Sequence, residues 1–469
     1  MTTLSDSTMA AFRDGVAGTV LTASDDGYDT ARSVWNGEID RNPAVIAQCT
    51  TADDVSTAIA FARREGLEIA VRGGGHNYPG YAVCEGGLVV DLTRMRAITV
   101  DPAAKRVRCG GGTTWADLDA ATQEHGLAVT GGFISHTGVG GLSLGGGFGW
   151  LTGKAGLTCD NLVSAQVVTA DGQHVTASAA SHPDLYWALR GGGGNFGVVT
   201  EFEFALHEVG PIVQLGLFFW PLDQGAEMLT FARDYIATTP PDTGLAIVGL
   251  NAPPAPFVPE EQHFAPGYLL AVVGWGSPEA HAALVQPILD TLPPLFHLVT
   301  PIPYTELQKM LDESAPWGVL AYEKAIYLDE LTDGAIAVIA DQMPRKASPL
   351  SLMPIFTMRG SYSTAADDAT AFGGSRASKW LVNIDATSPG DMELLATDRA
   401  WVRGFWEALL PHAGGSGGYV NFMVEADNDR LRATYGADKY DRLARIKARY
   451  DPDNVLHLNA NIAPAEPAR

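Results

Sequence analysis

A histidine that follows three consecutive glycines is the residue of this chain best placed to do chemistry. Residues 71–77 read Val-Arg-Gly-Gly-Gly-His-Asn, and the histidine is His76. A short buried strand is predicted over 67–71, so the glycines form the loop that leaves this strand. Consecutive backbone N–H groups in such a loop form a concave nest for anions, which suits a diphosphate. A histidine beside a bound cofactor can act as an acid or base, a metal ligand or a nucleophile.

Two further glycine-rich segments indicate the same kind of ligand. Seven of the twelve residues at 138–149 are glycine, and four consecutive glycines occupy 191–194. Glycine at this density lets the backbone approach a ligand closely, which suits a planar or phosphorylated molecule. The segment at 138–149 is not the dinucleotide-binding fingerprint, because no strand–GxGxxG–helix unit is predicted around it. The segment at 191–197 leads into a strand and can present amides and carbonyls to the edge of a heterocycle.

The elements predicted to position these segments change in character near residue 208. The first 208 residues alternate short strands and helices, and proline-rich stretches then separate helices from alternating segments such as 268–273 and 380–384. We therefore expect an α+β fold with a second domain at 209–418, an antiparallel sheet backed by helices. Before residue 208, strands are predicted at 67–71, 87–92, 105–109, 162–170 and 196–206, and helices at 51–65, at 184–190 and from 114 onwards.

Composition and charge exclude several other classes of protein. The chain has 469 residues and a net charge of −23, which disfavours nucleic-acid binding. No apolar run approaches the ~20 residues that a membrane span needs, and no polybasic segment suits anionic lipid. The four cysteines are scattered without CxxC spacing, so neither a disulfide framework nor a metal site is expected. The N-terminus has no secretory pattern, and a cytoplasmic protein is therefore expected.

Six separated motifs, in order, resemble one known family. They are residues 72–76, the strand at 89–92, the glycine run at 138–149, Asp160-Asn161, residues 187–193, and the tail at 440–454. In this respect the chain is similar to the berberine-bridge-enzyme-type FAD-linked oxidases of the vanillyl-alcohol-oxidase/PCMH superfamily. The resemblance implies a PCMH-type FAD-binding domain of two α/β subdomains at 1–208 and a substrate domain with a large antiparallel sheet at 209–418. It also implies a C-terminal segment, 419–469, that returns to the FAD domain.

The resemblance assigns roles to individual residues. His76 matches the histidine that is bonded to the flavin 8α-methyl carbon. The residues that match the loop around the diphosphate are Arg72, Gly73, Gly74, Gly75, Asn77 and Gly80. Those that match the loop beside the flavin and diphosphate are Thr137, Gly138, Val139, Gly140, Gly141 and Gly145. Further cofactor contacts are implied for Asp160, Asn161, Gly194, Gly197, Val199, Asn421, Asn459 and Asn461.

Three positions depart from the pattern of the family. Bicovalent members have a cysteine where Ile134 stands and a histidine where Leu142 stands. This implies FAD attached through His76 only. Sugar-oxidising members resemble Tyr-x-Asn-Tyr, whereas this chain has Phe422 at the last position, where the base of the family usually stands. Phenylalanine has no proton to exchange, so a sugar-oxidase mechanism is in doubt.

The expected reaction is hydride transfer from a small, fairly apolar metabolite or amine to the flavin. A neutral amine is oxidised without a strong base, whereas an alcohol needs one. Candidate bases are Tyr435, Tyr327, Tyr419 and His136. The small side chain of Val139 suggests room for O2 and therefore an oxidase that yields H2O2. Two alternatives stay open, a carbohydrate or alcohol oxidase and a flavin-carrying protein without turnover, and the protein is expected to be a monomer or homodimer.

Overall fold

The structure of this chain is a computed structural model that describes residues 4–415, 417–425 and 428–466. The outermost residues of the predicted first and last segments, 1–3 and 467–469, lie outside this description. The chain forms three sheets of four, five and seven strands and one small two-stranded ribbon within the described residues. The predicted α+β class, with a large antiparallel sheet backed by helices, is confirmed.

The first sheet carries the loop of His76. Its strand order is β1-β2-β4-β3, with β2, β3 and β4 parallel. Helix α3 connects β2 to β3, and a reciprocal capping box between Thr51 and Asp54 fixes its start. Because ligands of parallel sheets bind beyond the carboxyl ends of the strands, the loop after β3 is at the functional edge. The strands are β1 (Thr19–Leu21), β2 (Val45–Gln48), β3 (Ile69–Arg72) and β4 (Leu88–Asp91), and the helices are α1 (Asp6–Asp14), α2 (Tyr28–Arg32) and α3 (Ala52–Glu65).

The second sheet is antiparallel and carries the other two glycine segments in its connections. Its order is β5-β6-β10-β8-β9, while β7 and β11 form the ribbon. The strands are β5 (Ile98–Asp101), β6 (Arg106–Gly110), β7 (Leu127–Ala128), β8 (Leu162–Val168), β9 (His174–Ser178), β10 (Val198–Ala205) and β11 (His207–Glu208). The helices are α4 (Trp115–Gln123), α5 (Val139–Leu144), α6 (Thr152–Ala155) and α7 (Pro183–Leu189).

Helix α5 corrects one expectation. The glycine run at 138–149 was expected to be a loop, but its first half forms this helix, which begins after Gly138. The side chain of Val139 is fully buried among Trp115 and Phe202 and lies in the core of the second sheet. The second half of the run does leave regular structure, since Gly146 and Gly147 have positive φ.

The seven-stranded sheet takes all its strands from residues 212–388. Its order is β15-β12-β14-β13-β17-β18-β16, and each neighbouring pair is antiparallel. The strands are β12 (Ile212–Pro221), β13 (Gly244–Asn251), β14 (Pro266–Gly274), β15 (Phe296–Pro303), β16 (Leu320–Leu328), β17 (Met353–Thr357) and β18 (Trp380–Ser388). The helices are α8 (Gly225–Thr238), α9 (Pro278–Thr291), α10 (Tyr304–Lys309), α11 (Asp333–Gln342) and α12 (Met392–Leu409).

The two faces of this sheet have different neighbours. Ile247, Val272 and Ile326 point to one face and pack with residues of α8, α11 and α12. The alternate residues, such as Ala271 and Ala325, belong to a core that contains Phe148, Trp150 and Tyr419 from other parts of the chain. Because side chains alternate along a strand, the second face lies against the glycine-rich loops.

The C-terminal segment packs on the second sheet. Helices α13 (Asn428–Tyr435) and α14 (Ala437–Tyr450) place Tyr440, Leu443 and Ile446 in the core with Val107 and Phe202. At the end of α14, the buried Nζ of Lys447 donates to the carboxylate of Asp451 and to the backbone oxygen of Asn195, at 2.8 Å. The segment is thereby tied to the loop that follows α7.

Candidate functional site

The first two glycine segments contact each other directly beside His76. A Cβ added at Gly74 would overlap the backbone of Gly138, and a Cβ added at Gly138 would overlap the backbone of Gly74. Gly75 has φ of +70°, a left-handed conformation that favours glycine. The glycines at 74 and 138 therefore allow the loop after β3 to reach the start of α5.

The imidazole of His76 is enclosed by three other rings. Its Nε2 lies 2.7 Å from Nδ1 of His136. Trp35 stacks on it at 5.3 Å between centroids, and Trp317 presents an edge at 5.7 Å. Burial, together with the neighbouring His136, lowers the pKa of His76 to about 3. A neutral imidazole keeps a lone pair on one ring nitrogen, and this neutral form is the one that acts as a nucleophile.

The remaining predicted residues of the His76 loop have mainly structural contacts. The guanidinium of Arg72 donates to the backbone oxygen of Ala31, while its buried Nε has no partner among the described residues. The Asn77 side chain accepts from the backbone of Tyr81 at 2.9 Å and thus turns the loop. Gly80 has φ of +72°, and a Cβ there would overlap Ile39.

The segment around α5 is linked to residues 419–421. A Cβ at Gly145 would overlap the side chain of Asn421. The Asn421 amide donates to the backbone oxygen of Leu142 at 3.1 Å and to the hydroxyl of Tyr419 at 2.8 Å. Gly141, in contrast, has open space where a Cβ would stand. Thr137 and Gly140 complete this segment, with the oxygen of Thr137 accepting from Trp115 N at 3.0 Å.

The third glycine segment meets the C-terminal tail. The Asn195 amide donates to the backbone oxygens of Gly192 and Ala460, at 2.8 and 3.2 Å, and its oxygen accepts from Ile462 N at 2.9 Å. The side-chain oxygens of Asn459 and Asn461 are buried without a partner within the described ranges. Gly194 has open space at the Cβ position, Gly197 has φ of +152°, and Val199 is buried in β10.

These features fit an FAD molecule. The orphaned oxygens of Asn459 and Asn461 can accept hydrogen bonds from a flavin edge. The glycine loop offers main-chain N–H groups to a diphosphate, and the neutral His76 suits a covalent bond to carbon. Among residues 4–415, 417–425 and 428–466, no group of three or more His, Cys, Asp or Glu side chains is arranged for a metal ion. None of the described helices has the length and apolar character needed to cross a bilayer.

Asp160 and Asn161 are placed at a contact between the two main parts of the chain. Both carboxylate oxygens of Asp160 accept from the guanidinium of Arg376, at 2.7 and 2.9 Å. The Asn161 side chain donates to two backbone oxygens at 155 and 157 and pairs with His207 at 2.6 Å. Both side chains are thus occupied by protein partners.

The three candidate tyrosines are buried, and burial raises the pKa of each of them. The Tyr419 hydroxyl accepts from Gly147 N at 2.9 Å and from Asn421. The Tyr435 hydroxyl donates to the oxygen of Gly191 at 3.1 Å, within the core of the second sheet. Tyr327 has no hydrogen-bond partner among the described residues. Phe422 packs edge-on against Tyr419 with 4.9 Å between ring centroids.

Sequence reasoning missed a buried acidic cluster on the sheet face that points towards the glycine loops. Glu323 on β16 and Asp385 on β18 are direct cross-strand partners. Asn383 donates to both carboxylates, at 2.9 and 3.0 Å. Burial and the neighbouring Asp385 raise the pKa of Glu323 well above its usual value, and burial raises the pKa of Asp385 to about 7.

Tyr78 stands two residues after His76 in the sequence and connects the loop of His76 to this acidic cluster. Burial and the two adjacent carboxyls raise the pKa of Tyr78, and its ring packs against Trp35 at 5.0 Å. The sequence feature that could have indicated this cluster is Asp385, an acidic residue directly after the alternating segment at 380–384. Its pairing with Glu323 depends on strand register, which a single sequence does not reveal.

Leu142 and Ile134 are the two positions expected to distinguish single from double attachment of FAD. Leu142 lies on α5 and packs partly in the core of the second sheet. Ile134 precedes His136, and its oxygen accepts from Thr137 N at 3.2 Å. The cysteines Cys49, Cys84, Cys109 and Cys159 are all free and buried, and burial raises the pKa of each thiol.

Comparisons with known proteins match two parts of this chain to known families. The FAD binding domain family matches residues 43–178, and the family described as berberine and berberine like matches residues 418–463. An FAD-linked oxidoreductase of Pyricularia oryzae is 31% identical over 433 residues, which cover 87% of this chain and 82% of that protein.

Solved structures extend the comparison. 6-Hydroxy-D-nicotine oxidase from Arthrobacter nicotinovorans is 28% identical, with a TM-score of 0.85, and the match covers 96% of this chain and 98% of that one. Glucooligosaccharide oxidase from Acremonium strictum, described with a 6-S-cysteinyl, 8α-N1-histidyl FAD, has the same fold at 23% identity, with a TM-score of 0.85 and coverage of 98% and 100%. The matched families and the oxidoreductase of Pyricularia together establish that this chain is an enzyme of the berberine-bridge-enzyme-like family of FAD-linked oxidoreductases.

Proposed function

We propose that the enzyme holds FAD through one covalent bond, at His76, and oxidises a small, fairly apolar metabolite or amine. When bound, FAD accepts a hydride from a C–H bond next to nitrogen or oxygen. We further propose that O2 reoxidises the flavin and that H2O2 is released. The observation that carries the proposal is the position of His76, a neutral imidazole on a glycine loop that contacts the start of α5.

The single bond is supported by the side chains near the second attachment point of bicovalent members. Ile134 has no thiol, and the four cysteines of the chain are buried in packed surroundings. The remaining predicted residues, from the diphosphate loop to Asn459 and Asn461, would hold the cofactor without covalent bonds. Asp160 and Asn161 would contribute by holding the loops around them.

An amine substrate is favoured over an alcohol by two features. Phe422 cannot take up a proton, and each candidate tyrosine is buried with a raised pKa. Because burial raises the pKa of Asp385 to about 7, the Glu323–Asp385 pair carries a negative charge beside Tyr78 only above that pH. Such a pair attracts a basic nitrogen. A solved relative is named for 6-hydroxy-D-nicotine, a nitrogen compound.

The linkage is tested by precipitating the enzyme with acid. Yellow colour in the washed pellet supports the covalent bond, and its complete loss to the supernatant contradicts it. His76→Ala should bind FAD but release all of it on denaturation. The surface variant His125→Gln is the matched control and should retain the bound flavin.

The reaction is tested with a panel of amines and alcohols under anaerobic conditions. Bleaching of the flavin by an amine, followed by peroxide formation when air is admitted, supports the proposal. Bleaching by sugars or simple alcohols alone would favour the alcohol-oxidase alternative. A flavin that no compound bleaches would favour a carrier without turnover, and slow reoxidation of photoreduced enzyme in air would contradict the oxidase assignment.

A further inference from the structure

A buried asparagine in the third glycine segment holds the C-terminal tail. Asn195 follows the four glycines at 191–194, and its side chain is fully buried. Its amide nitrogen donates to the backbone oxygens of Gly192 and Ala460, at 2.8 and 3.2 Å. Its side-chain oxygen accepts from the backbone N of Ile462 at 2.9 Å. One side chain therefore joins a glycine segment to two residues of the tail.

The two tail residues bonded to Asn195 are the sequence neighbours of Asn461. Asn195 donates to the residue before Asn461 and accepts from the residue after it, so the backbone on both sides of Asn461 is fixed. The rotamers open to a side chain depend on its backbone dihedrals. The two hydrogen bonds therefore restrict where the side chain of Asn461 points. Its side-chain oxygen is buried and has no partner within the described ranges.

A buried ion pair fixes the other end of this part of the tail. Nζ of Lys447 donates to the backbone oxygen of Leu456 at 3.1 Å and to that of Asn195 at 2.8 Å. The same nitrogen donates to the carboxylate of Asp451, and both side chains of this pair are fully buried. The tail between Leu456 and Ile462 is thus held at both ends against the loop after α7. Both asparagines with unpartnered oxygens lie between these two anchors.

The apolar contacts of the tail do not replace the hydrogen bonds of Asn195. Ile462 is fully buried in the core of the second sheet. Burial of an apolar side chain is non-directional, so it fixes how deep the tail lies but not how its backbone turns. The hydrogen bonds are directional, and a buried backbone group that loses its partner is destabilised. Asn195 therefore sets the orientation of the tail.

We propose that Asn195 is a positioning residue for the cofactor, because it holds the tail so that the side-chain oxygens of Asn459 and Asn461 face the bound flavin. The inference rests on the proposed FAD site, in which these oxygens accept hydrogen bonds from the flavin edge. It goes further because Asn195 is not among the residues that the resemblance assigned to the cofactor. Asn195 acts through the tail, since its side chain bonds to backbone atoms of the protein.

Asn195→Asp tests this role with almost no change in shape. The new carboxylate still accepts from Ile462 N but cannot donate, and it faces the backbone oxygens of Gly192 and Ala460. A covalent bond would hide a weaker non-covalent hold, so release of FAD from the loaded, full-length protein is followed in the His76→Ala background. Asn195→Asp should speed this release at least ~10-fold, because two buried hydrogen bonds are lost.

A second measurement separates positioning from a purely structural role. In the FAD-loaded single variant Asn195→Asp, hydrogen exchange measured by mass spectrometry should be faster in the peptide that spans 456–462. The visible absorption bands of the flavin should also shift, because the groups beside its ring have moved. A purely structural role predicts a lower unfolding temperature with unchanged flavin absorption and unchanged FAD release.

Gln123→Glu is the matched control. The Gln123 amide also donates to two backbone oxygens, those of Leu127 and Val209, at 2.8 and 2.9 Å, and neither belongs to the tail. Gln123→Glu should lower the unfolding temperature but keep the tail exchange, the flavin absorption and the FAD release of its parent protein. If Asn195→Asp does not fold, Asn195→Ser removes the amide donor without adding a charge.

Two results would overturn the inference. The first is unchanged tail exchange in Asn195→Asp, since Asn195 would then not hold the tail. The second is faster tail exchange with unchanged FAD release and flavin absorption, since the tail would then not act on the cofactor. Neither result affects the bond at His76. Loss of flavin from the acid-precipitated wild type would instead contradict that bond, and FAD release would then be compared directly between the wild type and Asn195→Asp.

Discussion

Replacement of Asp385 by asparagine should change how the stability of the enzyme depends on pH. Asp385 is 8% exposed and faces the fully buried Glu323 across the strand pair. The substitution keeps the shape of the side chain and an oxygen that can accept from Asn383. It also gives Glu323 an amide donor in place of a second carboxyl. The main loss is therefore the charge that forms when Asp385 ionises.

The size of the effect follows from the pKa of Asp385, which rises from 3.8 to about 7 because of burial. Between these values the folded protein binds a proton that the unfolded chain does not, so stability falls as the pH rises. The loss is about 1.4 kcal/mol per pH unit, and at most about 4 kcal/mol in total above pH 7. Between pH 5 and pH 8 the wild type should lose about 3 kcal/mol that the variant does not lose.

Thermal unfolding of the two proteins at pH 5 and pH 8 checks this. For a chain of this length the unfolding entropy is about 1 kcal/mol/K, so the advantage of the variant should grow by about 3 °C between the two pH values. Asp398→Asn is the matched control, since Asp398 is also buried but accepts from Ala347 N, Ser348 N and Ser351 Oγ. It should lower the unfolding temperature at both pH values. An Asp385→Asn advantage that is equal at pH 5 and pH 8 would refute the reasoning.

Three further substitutions test other parts of the structure. Gly74→Ala should abolish most FAD binding, measured by retained flavin after gel filtration, because its Cβ would overlap the backbone of Gly138; full retention contradicts the proposed loop contact. Lys447→Met should cost about 3–5 kcal/mol in denaturant unfolding, because the buried Asp451 carboxylate loses its cation and keeps only backbone N–H partners; the double variant with Asp451→Asn should recover part of this loss. Phe422→Tyr should change amine turnover by less than about threefold, because oxidation of a neutral amine needs no strong base; a tenfold gain would implicate a phenol at this position.

Short-range features of the fold were predictable from the sequence. The strand before Gly73 and the capped helix after Thr114 depend on local patterns and turn residues, and both are present. Helix α5 was missed because glycine disfavours helices by about 1 kcal/mol relative to alanine. Here tertiary packing outweighs that cost, since Val139 is fully buried in the core that also contains Trp115.

Long-range features of the site were not predictable in the same way. The pairing of Glu323 with Asp385 requires the register of two strands that are about sixty residues apart in sequence. A similar separation divides His76 from His136, and the loops that carry them approach each other at Gly74 and Gly138. The sequence marked these glycines as functional but did not indicate that they contact each other.

Contacts between the part of the chain that forms the seven-stranded sheet and the glycine-rich loops make the proposed cofactor site depend on both parts of the chain. Asp312, from the connection between β15 and β16, holds Ser135 beside His136, and Arg376 binds Asp160 through two hydrogen bonds. The indole ring of Trp35 stacks on His76, and its N–H donates to the backbone oxygen of Ala315 at 2.8 Å. Because the contacts of Asp312 and Trp35 hold residues next to the two histidines, loosening the seven-stranded sheet should also disturb the orientation of His76 and His136. We therefore expect attachment of the cofactor to require that both parts of the chain be folded.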